Sequence, residues 1–233
     1  MRRVLLVVFS VVAGGLMGHL FWTLCFPAGI SEETKMCVEY PAEIPGTRLV
    51  ALNLVCYDGP FLEDDLQDEM TEITGVILEN GGELGISEGF VRILQDGREL
   101  QFRFSQLPPG GKILVLEQDG QQYFPGVCTE IDGWVIEDQC GWYWETLLQI
   151  EELPPGGVAI HNITDAHMGE VKLFYKAYYP EDDFYIGGKS YIITAEDLLP
   201  GETLALYPEY YCCGISRILR VQYNGQESDG KQE

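Results

Sequence analysis

Short apolar segments separated by turn residues run along the chain, and one of them alternates strictly between apolar and polar positions. In this segment Leu100, Phe102 and Phe104 alternate with charged or amide side chains. A period of two predicts a β-strand with one buried face. The apolar run Phe90–Leu94 precedes it, and Asp96-Gly97 lies between the two runs. Asp-Gly favours a tight hairpin turn, so the two runs are predicted to pair.

The same reading predicts an all-β body. A second hairpin is predicted around Asp132-Gly133. The acidic stretch Asp58–Glu72 is predicted to be a loop or a short exposed helix. It could bind Ca²⁺, although it lacks the regular spacing of an EF-hand loop. Further strands are predicted at Arg48–Tyr57, Ile113–Glu117, Trp144–Ile150, Val158–His161, Val171–Tyr178, Tyr191–Thr194 and Thr203–Tyr207.

The N-terminal segment has the pattern of a membrane anchor. Arg2 and Arg3 precede an uncharged run from Val4 to Phe26, which as a helix would span about 35 Å. Arginine before the run predicts a cytoplasmic N-terminus and an extracellular body. A cleaved signal peptide and, more remotely, a lipoprotein modified at Cys25 are the alternatives, and all three export the body.

A diverged duplication is predicted within the body. Residues 75–80 match residues 157–162 in pattern, at an offset of 82. Leu107-Pro108-Pro109-Gly110 and the strand after it match Leu198-Leu199-Pro200-Gly201 and its following strand, at an offset of 91. The second copy therefore has a longer loop near Pro180–Gly188, and each copy supplies the strands of a small antiparallel sandwich. One larger two-sheet domain is the alternative.

The second copy resembles the FxLyD-type modules of exported bacterial proteins, which are similar to immunoglobulin domains. The residues that carry the resemblance are Asn162-Ile163-Thr164, Gly169–Lys176 and Leu198–Thr203. Lys176 departs from the pattern, because the family commonly has aspartate there. Phe184–Tyr191 also looks like a segment of uncharacterised exported proteins of Gram-positive bacteria. The resemblance implies a fold and a location but no reaction.

These observations together predict tandem Ig-like β-sandwiches behind an N-terminal transmembrane helix. The predicted organisation is an anchor or signal peptide at 1–30, a linker at 31–46, a first Ig-like sandwich at 47–140, a second, FxLyD-like sandwich at 141–225 and a disordered tail at 226–233.

Composition restricts the partners. The formal net charge is −23, and Arg2 and Arg3 are the only charges before Ser31, so the remainder of the chain carries −25. Such a surface repels nucleic acid and anionic lipid headgroups, and it suits a cationic partner. Membrane contact is therefore expected only through the N-terminal helix.

Two motifs contain residues that could bind a metal ion or a phosphate group. His161, Asp165 and His167 lie within seven residues and could hold a metal, but their predicted placement around a turn does not assure a shared geometry. Gly187-Gly188-Lys189-Ser190 superficially suggests phosphate binding, yet the residues after it are strand-like and a P-loop needs a helix there. Neither motif predicts a catalytic residue, a cofactor or a metal site.

Aromatic residues are the candidate ligand contacts. Trp134, Trp142 and Trp144 belong to one cluster along the sequence, and Tyr185 belongs to a second that also includes Tyr179. Exposed rings of this kind stack on sugars or anchor protein partners, whereas buried rings are core. Packing is the favoured interpretation of most of them.

Six cysteines lie beyond Cys25, an even number that permits three disulfides in an exported body. Cys128 and Cys140 flank the predicted Asp132-Gly133 hairpin, so a bulge could bring them within bridging distance. The alternative is that all six are small buried apolar residues.

The sequence thus predicts a non-enzymatic, membrane-anchored, extracytoplasmic binding or structural module of a bacterial cell surface that needs no cofactor and has a protein or glycan ligand. A carbohydrate- or cell-wall-binding protein that uses the aromatic clusters is the first alternative. A metal-dependent enzyme around His161 and His167 is the second.

Overall fold

The computed structural model describes residues 37–60 and 69–225, and these residues form strands, one short 3-10 turn and connecting loops. The strands are β1 Ala42–Glu43, β2 Leu49–Pro60, β3 Glu69–Asn80, β4 Gly85–Gln95, β5 Arg98–Leu107, β6 Lys112–Leu116, β7 Cys128–Asp138, β8 Leu148–Leu153, β9 Gly157–Asn162, β10 Met168–Tyr179, β11 Phe184–Leu198, β12 Thr203–Leu206 and β13 Ser216–Gly225. The all-β prediction is confirmed for this part of the chain.

The predicted anchor at 1–30, most of the linker and the tail from 226 lie outside the described residues. Within residues 37–60 and 69–225, no helix has the length and apolar character needed to cross a membrane.

The Asp96-Gly97 hairpin is confirmed. β4 pairs with β5 from Gln95 opposite Arg98 to Ile86 opposite Leu107. Asp96 and Gly97 have φ angles of 47° and 79°, which is the left-handed pair that a two-residue turn of this class requires. The side chains of Leu100, Phe102 and Phe104 are buried, as the alternating pattern predicts.

The second predicted hairpin is wrong. Asp132-Gly133 lies in the middle of β7, which pairs with β4 on both sides of that position without reversing. Gly133 has a different function from a turn glycine: a Cβ there would lie 2.4 Å from the carbonyl oxygen of Phe90. Close approach of two strand backbones, and not a turn, accounts for this glycine.

Two other local predictions are corrected. The acidic stretch was predicted to be a loop or a short helix, but its two ends belong to strands: Asp58–Pro60 ends β2 and Glu69–Glu72 begins β3. The middle of the stretch lies outside the described residues. The predicted strand Trp144–Ile150 begins instead as the 3-10 turn Trp144–Thr146 and becomes β8 at Leu148.

The predicted duplication is confirmed by strand order. In the first half, β2–β3–β6 are neighbours and β5–β4–β7 form a separate sheet. In the second half, β8–β9–β12 form one sheet and β11–β10–β13 are neighbours. Each strand of the second half therefore has a counterpart six places earlier in the first. We call the two sets the first repeat (β2–β7) and the second repeat (β8–β13).

Asn80 and Asn162 occupy equivalent positions in the repeats. Asn80 Nδ2 donates to the carbonyl oxygens of Leu84 (2.8 Å), Pro108 (3.1 Å) and Leu107 (3.4 Å). Asn162 Nδ2 donates to the corresponding carbonyl oxygens of Ala166 (2.8 Å), Leu199 (3.2 Å) and Leu198 (3.3 Å). The partners keep the offsets of 82 and 91 residues, so the same amide joins the same two turns in each repeat.

Each repeat has its own apolar core between its two groups of strands. The first core takes residues from all six strands of the first repeat, among them Leu78, Val91, Phe102 and Ile131. The second includes Leu148, Ile160, Leu173, Ala195 and Val221. A third and smaller cluster forms around Ile73, Leu114 and Leu116.

The repeats share one sheet. β6 of the first repeat pairs in parallel with β11 of the second, with Ile113 opposite Tyr185 and Leu114 opposite Ile186. The order β1–β2–β3–β6–β11–β10–β13 results, a single seven-stranded sheet across both repeats. Residues that lie far apart in the sequence therefore meet along this pair of strands.

Buried polar side chains reinforce the junction. Arg220 of β13 donates from Nε to the carbonyl oxygen of Cys140 (2.9 Å), from an Nη to Gln106 of β5 (3.3 Å) and from the other to the carboxylate of Asp138. Its guanidinium also lies 5.3 Å from the ring of Trp142. Arg220 thus connects the second repeat to β5 and to the end of β7.

Candidate functional site

Trp142 and Trp144, two of the predicted ligand contacts, are used in packing. Trp142 is 6% exposed, and its indole Nε1 donates to the carbonyl oxygen of Asp138 (2.8 Å). Its ring covers Gly85, where a Cβ would lie 1.9 Å from the ring. The prediction of a ligand-facing side chain is therefore wrong for Trp142. Trp144 is partly buried against the second core.

Trp134 remains a candidate contact. It lies on β7 and is 43% exposed, and its ring stacks on Phe90 with centroids 6.2 Å apart. The guanidinium of Arg103 lies 5.5 Å from the centre of the Phe90 ring. An exposed ring stacked on a second ring, which itself lies near a cation, is a platform on which a flat ligand could stack.

Tyr185 lies at the junction of the repeats. It packs partly against the first core, and its ring is 5.2 Å from that of Tyr178. Together with Lys112, Asp183 and Arg217 it lines a polar cleft of about 490 Å³. Burial raises the pKa of Tyr185, so the phenol remains neutral.

An apolar pocket lies beside the paired strands β6 and β11, and we call it the junction pocket. Its volume is about 430 Å³, within the range of small-molecule sites. It is lined by Tyr57, Asp58, Leu114, Ala177, Tyr179, Asp182, Phe184, Ile186 and Ile215. Phe184 and Ile186 alternate with Tyr185 along β11, so the pocket and the polar cleft use opposite faces of that strand.

Both repeats contribute walls to the junction pocket. Tyr57 and Leu114 come from β2 and β6 of the first repeat, and Tyr179 and Phe184 come from β10 and β11 of the second. The rings of Tyr179 and Phe184 are stacked, with centroids 6.3 Å apart and planes 20° apart. Tyr179 is 50% exposed and Ile215 is 52% exposed, so the mouth of the pocket is open and apolar.

The electrostatic environment of the pocket is negative. Burial, together with the nearby charge of Glu69 and the neighbouring Tyr179, raises the pKa of Tyr57 to about 12. Asp58 and Asp182 are part of the lining. Among the nine described residues that line the pocket, none is Lys or Arg. The described lining of the site therefore combines aromatic walls with two carboxylates and contains no Lys or Arg.

Gly187-Gly188-Lys189-Ser190 forms a bulge in β11 and not a phosphate loop. The β10–β11 register shifts between Tyr175 and Ala177, where these residues are accommodated. The buried ammonium of Lys176 donates to the carbonyl oxygens of Gly187 (2.8 Å), Gly188 (2.6 Å) and Lys189 (2.8 Å). The carbonyl groups of the bulge thus surround a cation, the ammonium of Lys176.

The histidine cluster does not assemble. His161 Nδ1 lies 2.9 Å from the hydroxyl of Thr203, and His167 Nε2 lies 3.5 Å from a carboxylate oxygen of Asp197. In residues 37–60 and 69–225, no group of three His, Cys, Asp or Glu side chains is placed to hold a metal ion. The two histidines therefore have separate surroundings.

Cys128 and Cys140 are both thiols here, the first buried and the second exposed. They lie at and beyond opposite ends of β7, which at about 3.3 Å per residue is far longer than a disulfide can span. The geometric basis for a bridge between them was the Asp132-Gly133 hairpin, which does not form. Cys37 is closer to Cys128, because the amide of Val38 donates to the carbonyl oxygen of Cys128 (2.8 Å).

The sequence does not predict the junction pocket, and none of the four predicted ligand-facing aromatic residues lines it. Tyr179 belongs to a predicted aromatic cluster for which packing is the favoured interpretation. Tyr57 and Leu114 lie in a different repeat, so no local pattern connects them to that cluster. The pairing of β6 with β11 brings the two sets together, and it joins strands that are distant in the sequence.

No protein-family model matches this chain, and no curated protein matches it.

Proposed function

We propose that the protein is a non-enzymatic binding module of a bacterial cell surface that holds a small apolar group in the junction pocket. The observation that carries the proposal is the composition of this pocket: aromatic and aliphatic walls from both repeats enclose about 430 Å³ and open to solvent. Ligand sites in proteins are typically concave and mainly apolar with a few polar groups, and they occur preferentially between structural units.

The architecture we propose is a pair of tandem Ig-like β-sandwiches of the FxLyD type, exported behind an N-terminal membrane helix. The equal strand order of the two repeats and their separate cores support this architecture. A rigid shared sheet would hold the two walls of the pocket at a constant separation.

Binding can be tested with two water-soluble probes of the same shape, neohexyl alcohol and choline. The full chain in phospholipid nanodiscs would be examined by saturation-transfer difference NMR, with empty nanodiscs as the blank. We expect saturation of the branched methyl groups of at least one probe in the presence of the wild-type protein.

Variants locate the bound probe. Ala177→Trp fills the pocket and Tyr179→Ala removes a half-exposed wall, so each should abolish the signal. Ile192→Trp introduces the same indole side chain at a 52% exposed position of β11 outside the pocket and should preserve the signal. A wild-type protein that saturates neither probe, or a signal unchanged in both pocket variants, would refute the proposal. Melting curves confirm that each variant is folded.

Export has a separate test. Protease added to intact protoplasts should digest the body and leave a small membrane-embedded fragment, because the uncharged run Val4–Phe26 would remain in the bilayer. Lysed protoplasts serve as the control for protease access. Full protection of the body in intact protoplasts would contradict an extracytoplasmic location.

A second candidate function is carbohydrate or cell-wall binding through Trp134. The specific observation is that this ring is exposed and already stacked on Phe90, which leaves one face for a sugar. Retention on a glycan or cell-wall resin should fall strongly for Trp134→Ala. Tyr143→Ala, which removes an aromatic ring that is 71% exposed, should leave retention unchanged. Equal retention of both variants and the wild type would exclude this candidate.

A further inference from the structure

We propose that the junction pocket selects an organic ammonium ion carried on a short apolar stem. This inference rests on the proposed function and specifies its ligand class. Three aromatic side chains, Tyr57, Tyr179 and Phe184, and two carboxylates, Asp58 and Asp182, line one apolar pocket. The combination fits an organic ammonium ion attached to an apolar stem.

The aromatic walls would accept the cationic head. The face of an aromatic ring carries negative charge density and attracts a cation placed over it. Tyr179 and Phe184 are nearly parallel and contribute adjacent ring surfaces, and Tyr57 closes the first-repeat side. Recognition of quaternary ammonium groups by several rings is an established use of this interaction.

The carboxylates distinguish a cation from a neutral group of the same shape. Asp58 accepts a hydrogen bond from the amide of Glu72 (2.7 Å), which orients its carboxylate at the edge of the pocket. Because burial and nearby acidic charge keep the phenol of Tyr57 protonated, the carboxylates supply the negative charge. The chain as a whole, with a net charge of −23, also attracts cations.

Positive side chains of the junction are directed elsewhere. Lys112 and Arg217 line the polar cleft, and the ammonium of Lys176 is surrounded by carbonyl oxygens of the β11 bulge. The apolar residues Leu114, Ala177, Ile186 and Ile215 would contact the stem of the ligand. The shared ligand chemistry could come from a free quaternary amine or from a lysine side chain of a basic peptide.

The test compares charged and neutral probes of equal shape on the full chain in nanodiscs. Choline is paired with neohexyl alcohol, and N-acetyl-lysine methylamide is paired with the methylamide of N-acetyl-2-aminoheptanoic acid, whose pentyl side chain has the same number of heavy atoms. Kd values come from saturation-transfer titrations. We expect at least one cation to bind about threefold to tenfold more tightly than its neutral counterpart. The tighter of the two cations identifies the source.

Variants show whether the preference arises in the pocket. Asp182→Asn should bring the charged-to-neutral ratio toward one, whereas Asp165→Asn removes the same charge from an exposed turn outside the pocket and should leave the ratio unchanged. Tyr179→Ala should weaken the cation more than the neutral probe. A neutral probe that binds the pocket as tightly as its cation would overturn this inference and leave the proposed function standing. Equal effects of the two aspartate variants would also overturn it. If no probe binds, both proposals fall.

Discussion

Single polar side chains hold the turns of this β-rich chain in place. The amides of Asn80 and Asn162 each donate to three carbonyl oxygens at the ends of strands and in turns. Glu117 is fully buried and accepts from the amides of Asp119 (2.9 Å) and Gln121 (3.0 Å) in the loop after β6. Buried backbone groups need partners, so these residues determine the loop conformations.

We predict that Asn80→Ala and Asn162→Ala each lower the free energy of unfolding by about 1–3 kcal/mol, because buried carbonyl groups lose their donor. Urea unfolding of the full chain measures the change. Asn53→Ala, at an exposed position of β2, is the matched control and should cost less than about 0.5 kcal/mol. If Asn162→Ala lowers the free energy of unfolding no more than the control does, the Asn162 amide does not stabilise the second repeat as Asn80 stabilises the first.

A redox prediction also belongs to the residue scale. Treatment with a small-molecule disulfide should join Cys128 to Cys37 and not to Cys140, since the Val38–Cys128 hydrogen bond places the first pair side by side. Burial raises the pKa of Cys128, so the exposed thiol of Cys37 should react with the reagent first. Non-reducing peptide mapping identifies the linked peptides. A Cys128–Cys140 peptide would contradict the continuous β7, and Cys37→Ser should leave Cys128 alkylatable.

At the scale of strands, the alternation of apolar and polar residues predicts the buried face of any strand whose other face is exposed to solvent. β5 follows the rule: Leu100, Phe102 and Phe104 are buried, and the intervening side chains are more exposed. β7 lacks so clear an alternation and contains Asp-Gly, so it was interpreted as a hairpin. Its path follows from pairing with β4 along its whole length, which is a non-local contact.

Phe102→Ala should therefore lower the free energy of unfolding by about 3–5 kcal/mol, because the ring is completely buried and its loss leaves a cavity. Gln101→Ala, on the opposite face of β5, should cost less than about 0.5 kcal/mol. Thermal melts of the two variants and the wild type provide the comparison. Similar shifts in Tm for both would contradict the assigned faces of β5.

At the scale of the whole molecule, the contact between Arg220 and Asp138 helps to join the repeats. The amide of Cys140, which donates to Asp138 (2.8 Å), and the adjacent Arg220 guanidinium lower the pKa of Asp138 below its ordinary 3.8. A carboxyl with a lowered pKa in the folded state stabilises the fold above its unfolded-state value. That contribution is lost as the pH falls through the folded-state pKa.

Asp138→Asn should therefore reduce Tm at neutral pH, and the reduction should shrink from about pH 4 downwards as the wild-type carboxylate becomes protonated. Asp165→Asn controls for the general effect of removing one negative charge from a chain with a net charge of −23. Tm is measured for the three proteins from neutral pH to about pH 2. If the difference in Tm between Asp138→Asn and Asp165→Asn is the same at neutral pH as at about pH 2, the charge of Asp138 does not contribute as proposed.

The candidate site shows where sequence reasoning ends for the molecule as a whole. Tyr185 was selected from an aromatic cluster and does lie at the junction, and Trp134 is exposed as a ligand contact must be. Trp142 has the same chemistry but is buried beside Gly85 and Arg220. Aromatic composition does not distinguish these environments, because burial of a ring depends on which strand lies over it.

The sequence by itself determined the all-β class, the Asp96-Gly97 hairpin, the buried face of β5 and the duplication, because these depend on residues within one turn or one strand, or on a pattern that repeats along the chain. Only the tertiary structure decided that β7 continues through Asp132-Gly133, that Lys176 stabilises a bulge and that β6 pairs with β11. Each of these is a contact between strands distant in sequence, whose partner no local periodicity specifies. The junction pocket follows from the last of them, since its walls meet only where the two repeats share a sheet.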